Sequence, residues 1–426
     1  MPTPSLLIVP ARFKSGKLYS QVPTSGTGDF TVTRATAATR VNASGLIESV
    51  ASGIPRLDYF ASGGVVGCPA LLVEPSGQNL ALQSENFVTT WAANNLNITS
   101  GFTSPFNNAN GTLIEATSVA GRLRQTIAAI TSGTTHTFSL FAKADSFALT
   151  SGITLTVNDG TSSNYASGVC QAFRLDTGAL GTSGTVGAGF TLTRASIENY
   201  GNGWYRCNMT VTASYTPATS IIGVRATSTI SAGLPSTASG STVYIWGAQL
   251  ETGSVATSYI PTTTGSITRN AEVINVTGAV SGCIGQTEGT IYAEFTNTLV
   301  ASYVEGYMYR VFADANNEIW ARKEGGTNTY SFRWRANSQN TTFLNVAVPN
   351  EVNKIAFGYK SGDTALFLNG SQVATTNTDV RAFSINPTTI ALGSTSSGQF
   401  FNDRIRAVAL YTTRLTNAQL ASLTSP

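Results

Sequence analysis

The stretch VYIWGAQLETGSVATSYIP, residues 243–261, decides how the rest of the chain is divided. In an extended backbone Tyr244, Trp246, Ala248 and Leu250 fall on one side and Val243, Ile245, Gly247 and Gln249 on the other, as a period of two requires. Both sides begin apolar. The segment is therefore expected to be a central strand, covered on both faces, that closes one module. Glu251, Thr252, Gly253 and Ser254 then turn the chain, and Pro261 disfavours helix for the residue before it, so residues 258–261 lead out extended. A second module is expected beyond them. On this reading Trp246 holds two sheets together and offers no face to a ligand.

The chain has 426 residues, enough for two or three domains with cores of their own. Only 11% of residues are charged and 42% are hydrophobic, with many Gly, Thr, Ser and Asn, a composition suited to short strands joined by tight turns. An all-β chain is expected. A net charge of +3 over this length leaves no basic footprint for nucleic acid. No apolar run approaches the roughly 18 residues of a spanning helix, so no membrane partner is expected. The apolar run Leu6 to Val9 is too short for a signal-peptide core. Cys68, Cys170, Cys207 and Cys283 stand too far apart for metal-ligand spacing and are expected as small buried hydrophobes, consistent with folding in a reducing cytosol.

In order, residues 1–83 read as an irregular, proline-punctuated segment that lies across another surface as an attachment piece or adaptor. Residues 84–262 read as a series of short alternating strands, among them 125–130, 135–143, 154–158, 171–176, 191–198, 204–211 and 221–225, ending in 243–250. Such a series argues for a two-sheet antiparallel sandwich. Residues 263–426 read as a second sandwich, with a hairpin around Gly325 and Gly326, a tight turn at Asn369-Gly370 and a short final helix capped by Thr416. The expected fold is two tandem antiparallel β-sandwich (jelly-roll) domains preceded by the N-terminal segment.

Three sets of words carry a resemblance. RATAATRVNASGLIESVASGIPRLDY (34–59) with CPALLVEPSGQNLALQSENF (68–87) resembles the opening of phage and prophage tail-fibre, minor-tail and head-attached fibre proteins. FSLFAKA, FRLDTG, NGWYRC and VYIWGAQLETGSVATSYIPT resemble the jelly-roll module of the same proteins, which is similar to carbohydrate-binding modules. KIAFGYKSGDTALFLNGSQVATT with IALGSTSSGQFFNDRIRAVALYTTRLTNAQLASL resembles the closing half of a concanavalin-A-like or laminin-G-like jelly roll. The resemblance implies a virion component, assembled in the bacterial cytoplasm and exposed on the released particle. It implies contact with other virion proteins through the N-terminal segment, contact with host cell-surface polysaccharide, and homo-oligomeric display. No heptad stretch enforces a trimer.

Catalytic groups are sparse. His136, the single histidine, alternates with threonines in a strand and is expected to be structural. Glu294 stands alone where hydrolases of the lectin-like fold carry a Glu-x-Asp-x-x-Glu run, so neither a paired-carboxylate glycosidase nor any other enzyme is expected. Sugar recognition uses aromatic faces and a few hydrogen-bonding groups, and Trp320, Arg322, Arg333 and Trp334 bunch in one hairpin as candidates. Core packing is the competing reading for Trp334, which shares a face with Phe332. No cofactor is expected; a structural calcium ion, common among relatives of the fold, would find oxygen donors in Asp363, Asp379 and Asp403, whose spacing follows no loop motif. Noncatalytic adsorption to host glycan is the leading expectation. A structural collar, baseplate or capsid-vertex protein and a polysaccharide depolymerase are the alternatives.

Overall fold

The computed structural model describes residues 2–61, 67–145, 152–160, 167–227, 229–231, 233–297, 305–349, 352–376, 382–394 and 398–426. The chain is nearly all β, built of antiparallel sheets, with one α-helix, Asn417–Thr424, among the described residues. That helix starts at Thr416, whose side chain accepts from the Gln419 N–H while the Gln419 side chain accepts from the Thr416 N–H, a closed capping box. Asn369 and Gly370 both have positive φ, as the expected tight turn requires.

The middle jelly roll has two six-stranded sheets. One holds, in spatial order, Ala92–Asn94, Arg122–Ile127, Ser220–Arg225, Gly152–Asp159, Gly168–Arg174 and Ala179–Val186. The other holds Leu96–Phe102, Gly111–Ala116, Thr242–Thr252, Thr135–Ala144, Trp204–Ala213 and Phe190–Gly201. Phe138, Leu140, Leu155, Val157, Met209, Ile245 and Leu250 meet between them. Thr242–Thr252 is central, as its two apolar faces require, but the assignment of its faces changes halfway. Gly247 adopts φ +65°, and the pairing with Thr135–Ala144 shifts register between Phe141↔Trp246 and Ser139↔Gln249. This is a β-bulge, and it moves one extra residue into the strand. Val243 and Ile245 face the core before it; Ala248 and Leu250 face the core after it. Trp246 therefore does not join the two sheets. It lies on the outer face, fully buried among Phe141, Trp204, Tyr259 and Ile47. A Cβ at position 247 would stand 3.0 Å from the Phe141 ring and 3.2 Å from the Tyr259 ring.

The second sandwich is not confined to residues 263–426. Its eight-stranded sheet runs Ser371–Thr376, Thr364–Leu368, Val352–Lys360, Glu288–Thr296, Asp403–Tyr411, Ala70–Val73, Leu57–Asp58, and Leu6–Ile8 also pairs with Asp403–Tyr411. Its nine-stranded sheet begins Phe13–Lys14, Lys17–Leu18, Phe30–Thr33, then continues Val273–Thr277, Thr389–Leu392, Gly306–Asp314, Asn317–Lys323, Thr329–Ala336 and Gln339–Ala347. Leu6, Leu18, Phe30, Val32, Leu71 and Val73 are core residues of this domain. The expectation of a separate N-terminal piece before two tandem domains is thus corrected. Six of the nine strands described in residues 1–83 belong to the second sandwich, and the jelly roll is inserted into that sandwich. The strands Gly77–Asn79 and Ile267–Arg269, where the insertion begins and ends, pair with each other through Asn79↔Ile267. One part does lie across another surface: the hairpin of Ala38–Val41 and Ile47–Val50 covers the outer aromatic face of the jelly roll through Ile47.

Beside the paired strands lies a buried ion cluster. Glu272 reaches Arg56 at 2.6 Å, Arg34 at 3.1 Å and Arg269 at 3.6 Å, and Glu74 reaches Arg56 at 2.7 Å and Arg269 at 3.5 Å. Glu272, Arg34 and Arg56 have no side-chain exposure. Burying charge is costly unless every group is paired and hydrogen-bonded. Backbone carbonyls go most of the way to meeting that condition: Arg34 donates to those of Thr36, Val50, Ala51 and Ile54, and Arg269 to that of Pro75, with the Arg269 Nε left without a partner among the described residues. Glu74 also accepts from the Ser258 N–H and hydroxyl, each at 2.7 Å, which ties the linker after the jelly roll into the cluster. Burial alone would raise the Glu74 carboxyl. Arg269, Arg56 and Ser258 outweigh it and hold the group well below the usual carboxylate range.

Two outcomes follow from the cluster. Glu272→Ala leaves Arg34 and Arg56 buried without their carboxylate and is expected to cost about 3–5 kcal/mol, read as a lowered urea midpoint; a cost under about 1 kcal/mol would contradict this account. A depressed carboxyl contributes its full stability above its ordinary value of 4.5 and loses it as pH falls through the lower folded value. The urea midpoint should therefore fall with pH below about 4.5, and Glu74→Gln, destabilised at neutral pH, should show a shallower acid limb.

Candidate functional site

The hairpin of Asn317–Lys323 and Thr329–Ala336 brings three of the four expected sugar-binding residues together and sends the fourth away. Trp334 pairs with Ile319 on the inward face, is fully buried, and packs against Tyr359 and Phe383 at 5.3 and 6.3 Å between ring centres. It is a core residue and cannot meet a ligand. Phe332, two positions before it, is buried on the same face, and that spacing was the signal for a core role.

Trp320, Arg322 and Arg333 share the outer face, where they have already satisfied one another. The Arg322 and Arg333 guanidiniums lie 5.1 and 5.7 Å from the Trp320 ring centre, and Tyr307 meets that ring edge-on at 5.7 Å. The Trp320 indole N–H donates to Glu318 at 3.2 Å, and only 4% of the residue remains exposed. Arg322 is held by Glu305 at 2.6 Å and Glu324 at 3.0 Å; Arg333 donates to Asn340 at 2.8 Å and faces Glu318 at 3.7 Å. Cation–π contacts of this kind are worth about 0.5–2 kcal/mol each. They build a rigid surface but leave no free ring face for a pyranose to stack on.

The other feature with site-like geometry is a cleft of about 1010 Å³ where the jelly roll, the N-terminal segment and the second sandwich meet. Domain junctions are a common place for ligand sites, which usually occupy about 300–1,000 Å³. One wall is the strand Phe190–Gly201, which contributes Tyr200 and, two and six positions earlier, Glu198 and Arg194. The opposite wall is Asp403–Tyr411, with Arg404 and Arg406, and the N-terminal segment adds Phe60. Arg404 crosses between segments: its Nε donates to Asp58 at 2.7 Å and its guanidinium lies 5.0 Å from the Phe60 ring centre. Phe60 packs on Tyr200 at 4.7 Å, and Tyr200 meets Phe141 edge-on at 4.9 Å. The column then continues through Trp246 to Tyr259, at 5.3 and 4.4 Å. Burial foremost pushes the Tyr200 hydroxyl up to about 12, and it is a neutral donor at any ordinary pH. Burial alone would lower Arg404, but Asp58 and Asp403 more than offset it.

The remaining expected residues resolve simply. His136 is 8% exposed, its Nε2 is 3.2 Å from the Thr252 hydroxyl, and burial lowers its pKa, so it sits neutral in its strand. Cys170, Cys207 and Cys283 are buried, whereas Cys68 is exposed. Glu294 faces Arg406 at 3.4 Å and accepts from the Tyr292 hydroxyl at 3.3 Å. Of the three calcium candidates, Asp363 is bound by Arg414 at 2.8 Å and Asp403 accepts from the Thr296 hydroxyl at 2.6 Å; Asp379 lies outside the described residues. No cluster of three or more potential metal ligands occurs among the described residues. The cleft residues went unread in the sequence because Phe60, Tyr200 and Arg404 come from three distant segments. The available signal was the pair of arginines, two apart, in the strand DRIRAVALY.

Residues 290–421 match the Concanavalin A-like lectin/glucanases superfamily, and this part of the chain is a lectin-like domain. No curated protein matches the chain. Among solved structures, the chain is similar to the CBM40 of the Ruminococcus gnavus IT-sialidase, with 17% identity over 33% of this chain and 85% of that one and a TM-score of 0.28. It is also similar to domain 4 of AbnA, a GH43 extracellular arabinanase from Geobacillus stearothermophilus, in complex with arabinotriose (14% identity, 40% and 82% covered, TM-score 0.31). A third is the binding domain of botulinum neurotoxin DC in complex with rat synaptotagmin II (14% identity, 36% and 40% covered, TM-score 0.30).

The two faces of the hairpin should separate in a mutational test. Trp334→Ala opens a cavity in the core and is expected to cost about 3–5 kcal/mol, whereas Arg333→Ala, on the outer face, should cost under about 1 kcal/mol. Urea unfolding of both variants measures the difference, and equal costs would contradict the assignment of faces.

Proposed function

We propose that the chain is a noncatalytic, glycan-binding component of a phage-type virion, carried on the tail or head, that mediates adsorption to the host surface. The observation that carries the glycan-binding part is the lectin-type match over residues 290–421, which falls on the sandwich that the whole chain is built around. The virion part rests on the resemblance of the words at 34–59 and 68–87. Those words include Arg34, Arg56 and Glu74, so they encode the junction that holds the inserted jelly roll. Contact with other virion proteins then falls to the exposed surface of the N-terminal segment, such as residues 24–27 between two of its strands.

The noncatalytic reading is supported by the state of the carboxylates in the lectin-like domain. Glu294 faces Arg406, Glu318 lies between Arg310 and Arg333, and Glu305 and Glu324 both hold Arg322. Each is engaged by a guanidinium, and no two of them stand as a free pair across an open site. Several weak sites on many copies would supply adsorption by avidity, with homo-oligomeric display in the particle. The test is competition. Purified protein is expected to bind isolated host envelope and slow adsorption of intact particles, and to release no reducing ends from host polysaccharide. Protein that neither binds the envelope nor delays adsorption would overturn the reading, and release of reducing ends would replace it with a depolymerase.

A further inference from the structure

We infer that the cleft between the two sandwiches binds the carboxylate-bearing residues of an acidic polysaccharide. This inference rests on the glycan-binding reading above and gives that reading a site and a ligand class.

The choice of the cleft over the hairpin comes from counting what each arginine already does. On the hairpin, Arg322 is engaged by two carboxylates and Arg333 by Asn340 and Glu318. In the cleft, Arg404 commits Nε to Asp58, and the next carboxylate, Asp403, stands 3.9 Å from Nη1, beyond hydrogen-bond range. A guanidinium has five N–H donors, so the Nη edge of Arg404 is left for the contents of the cleft. Arg406, two positions along the same strand, has one carboxylate 3.4 Å from its Nε and is 24% exposed. Two arginines that line one cleft with donors to spare suit a planar carboxylate, which arginine binds through paired N–H groups.

The acids of the cleft do not cancel this preference. Asp58 is paired with Arg404 and Glu74 with Arg56, Asp403 accepts from the Thr296 hydroxyl, and the fourth acid of the lining, Glu198, stands opposite Arg206 in a wall that also carries Arg194. The aromatic wall supplies what the cations lack. Phe60 and Tyr200 keep part of their surface exposed in the cleft wall and, although each packs on the other, add apolar contact area beside the arginines for a sugar ring. A cleft of about 1010 Å³ open to solvent accommodates a segment of a longer chain and needs no free end.

The experiment is an array of immobilised glycans probed with the full chain. It carries oligomers of galacturonate, mannuronate and hyaluronan, sialylated glycans, carboxyl-reduced forms of the uronates, and neutral glucans. Wild type is expected to bind carboxylated members at least tenfold better than their reduced forms. Arg406→Ala and Arg404→Lys should each lose tenfold or more, with Arg333→Ala unchanged. Arg406→Ala makes no buried pair, and its urea midpoint should match wild type, so it keeps the test valid if Arg404→Lys is unstable. Binding that is neutral-selective, or that survives both cleft substitutions, would overturn the cleft and leave glycan binding standing. Binding to nothing on the array and nothing on host envelope would overturn both.

Discussion

Five buried charges hold this molecule in one arrangement. Arg34 and Arg56 come from the N-terminal segment, Glu74 from the approach to the insertion, and Arg269 and Glu272 from the return of the chain, so the cluster closes only when all three are in place. A hydrophobic contact would tolerate a shift of an ångström or two. A guanidinium with fixed donor directions does not, because a misplaced strand would leave a charge buried and unpaired. Such pairs add little net stability over an apolar equivalent, but breaking one is expensive. The cluster therefore acts as a condition on assembly, and the sandwich around it supplies the burial.

The same junction organises the surfaces. The hairpin that carries Arg40 and Ile47 folds over Trp246, Tyr259 links that face to the return strand, and the aromatic column runs outward through Phe141 and Tyr200 to Phe60 and Arg404. One continuous set of ring contacts thus connects the interior of the junction to the wall of the cleft. Position in the cleft is set by packing on both domains, so its geometry depends on their mutual placement.

Much of the fold was legible in the residues. Alternation located Thr135–Ala144, Trp204–Ala213 and the central strand, and the Asn369-Gly370 turn and Thr416 cap follow from local chemistry alone. Long-range pairing was not legible. Leu6 pairs with Leu410 and Thr33 with Val273, and strands of two to four residues carry too little pattern to announce partners hundreds of positions away. Leu96–Phe102 was missed for another reason: it is a mostly exposed edge strand whose apolar side, Leu96 and Ile98, is short and only partly buried. The candidate site divided along similar lines. Trp320, Arg322 and Arg333 are neighbours because a hairpin makes them so, whereas the cleft is assembled from segments that only the tertiary fold brings together. The face of Trp246 was misread because a single positive-φ glycine resets the alternation, and periodicity carries no sign of it.

The paired strands Gly77–Asn79 and Ile267–Arg269 bring the two ends of the jelly roll side by side. A module whose termini leave together through so narrow a neck behaves as a cassette. Recombination that exchanged residues between those strands would replace one complete folding unit, provided the newcomer also had adjacent ends and a donor to take the place of Ser258 at the Glu74 carboxylate. The sandwich would keep its own sheets intact through the exchange, because none of its strands is drawn from the interval. Change in the inserted module and constancy in the sandwich that holds it are thereby assigned to different stretches of one polypeptide.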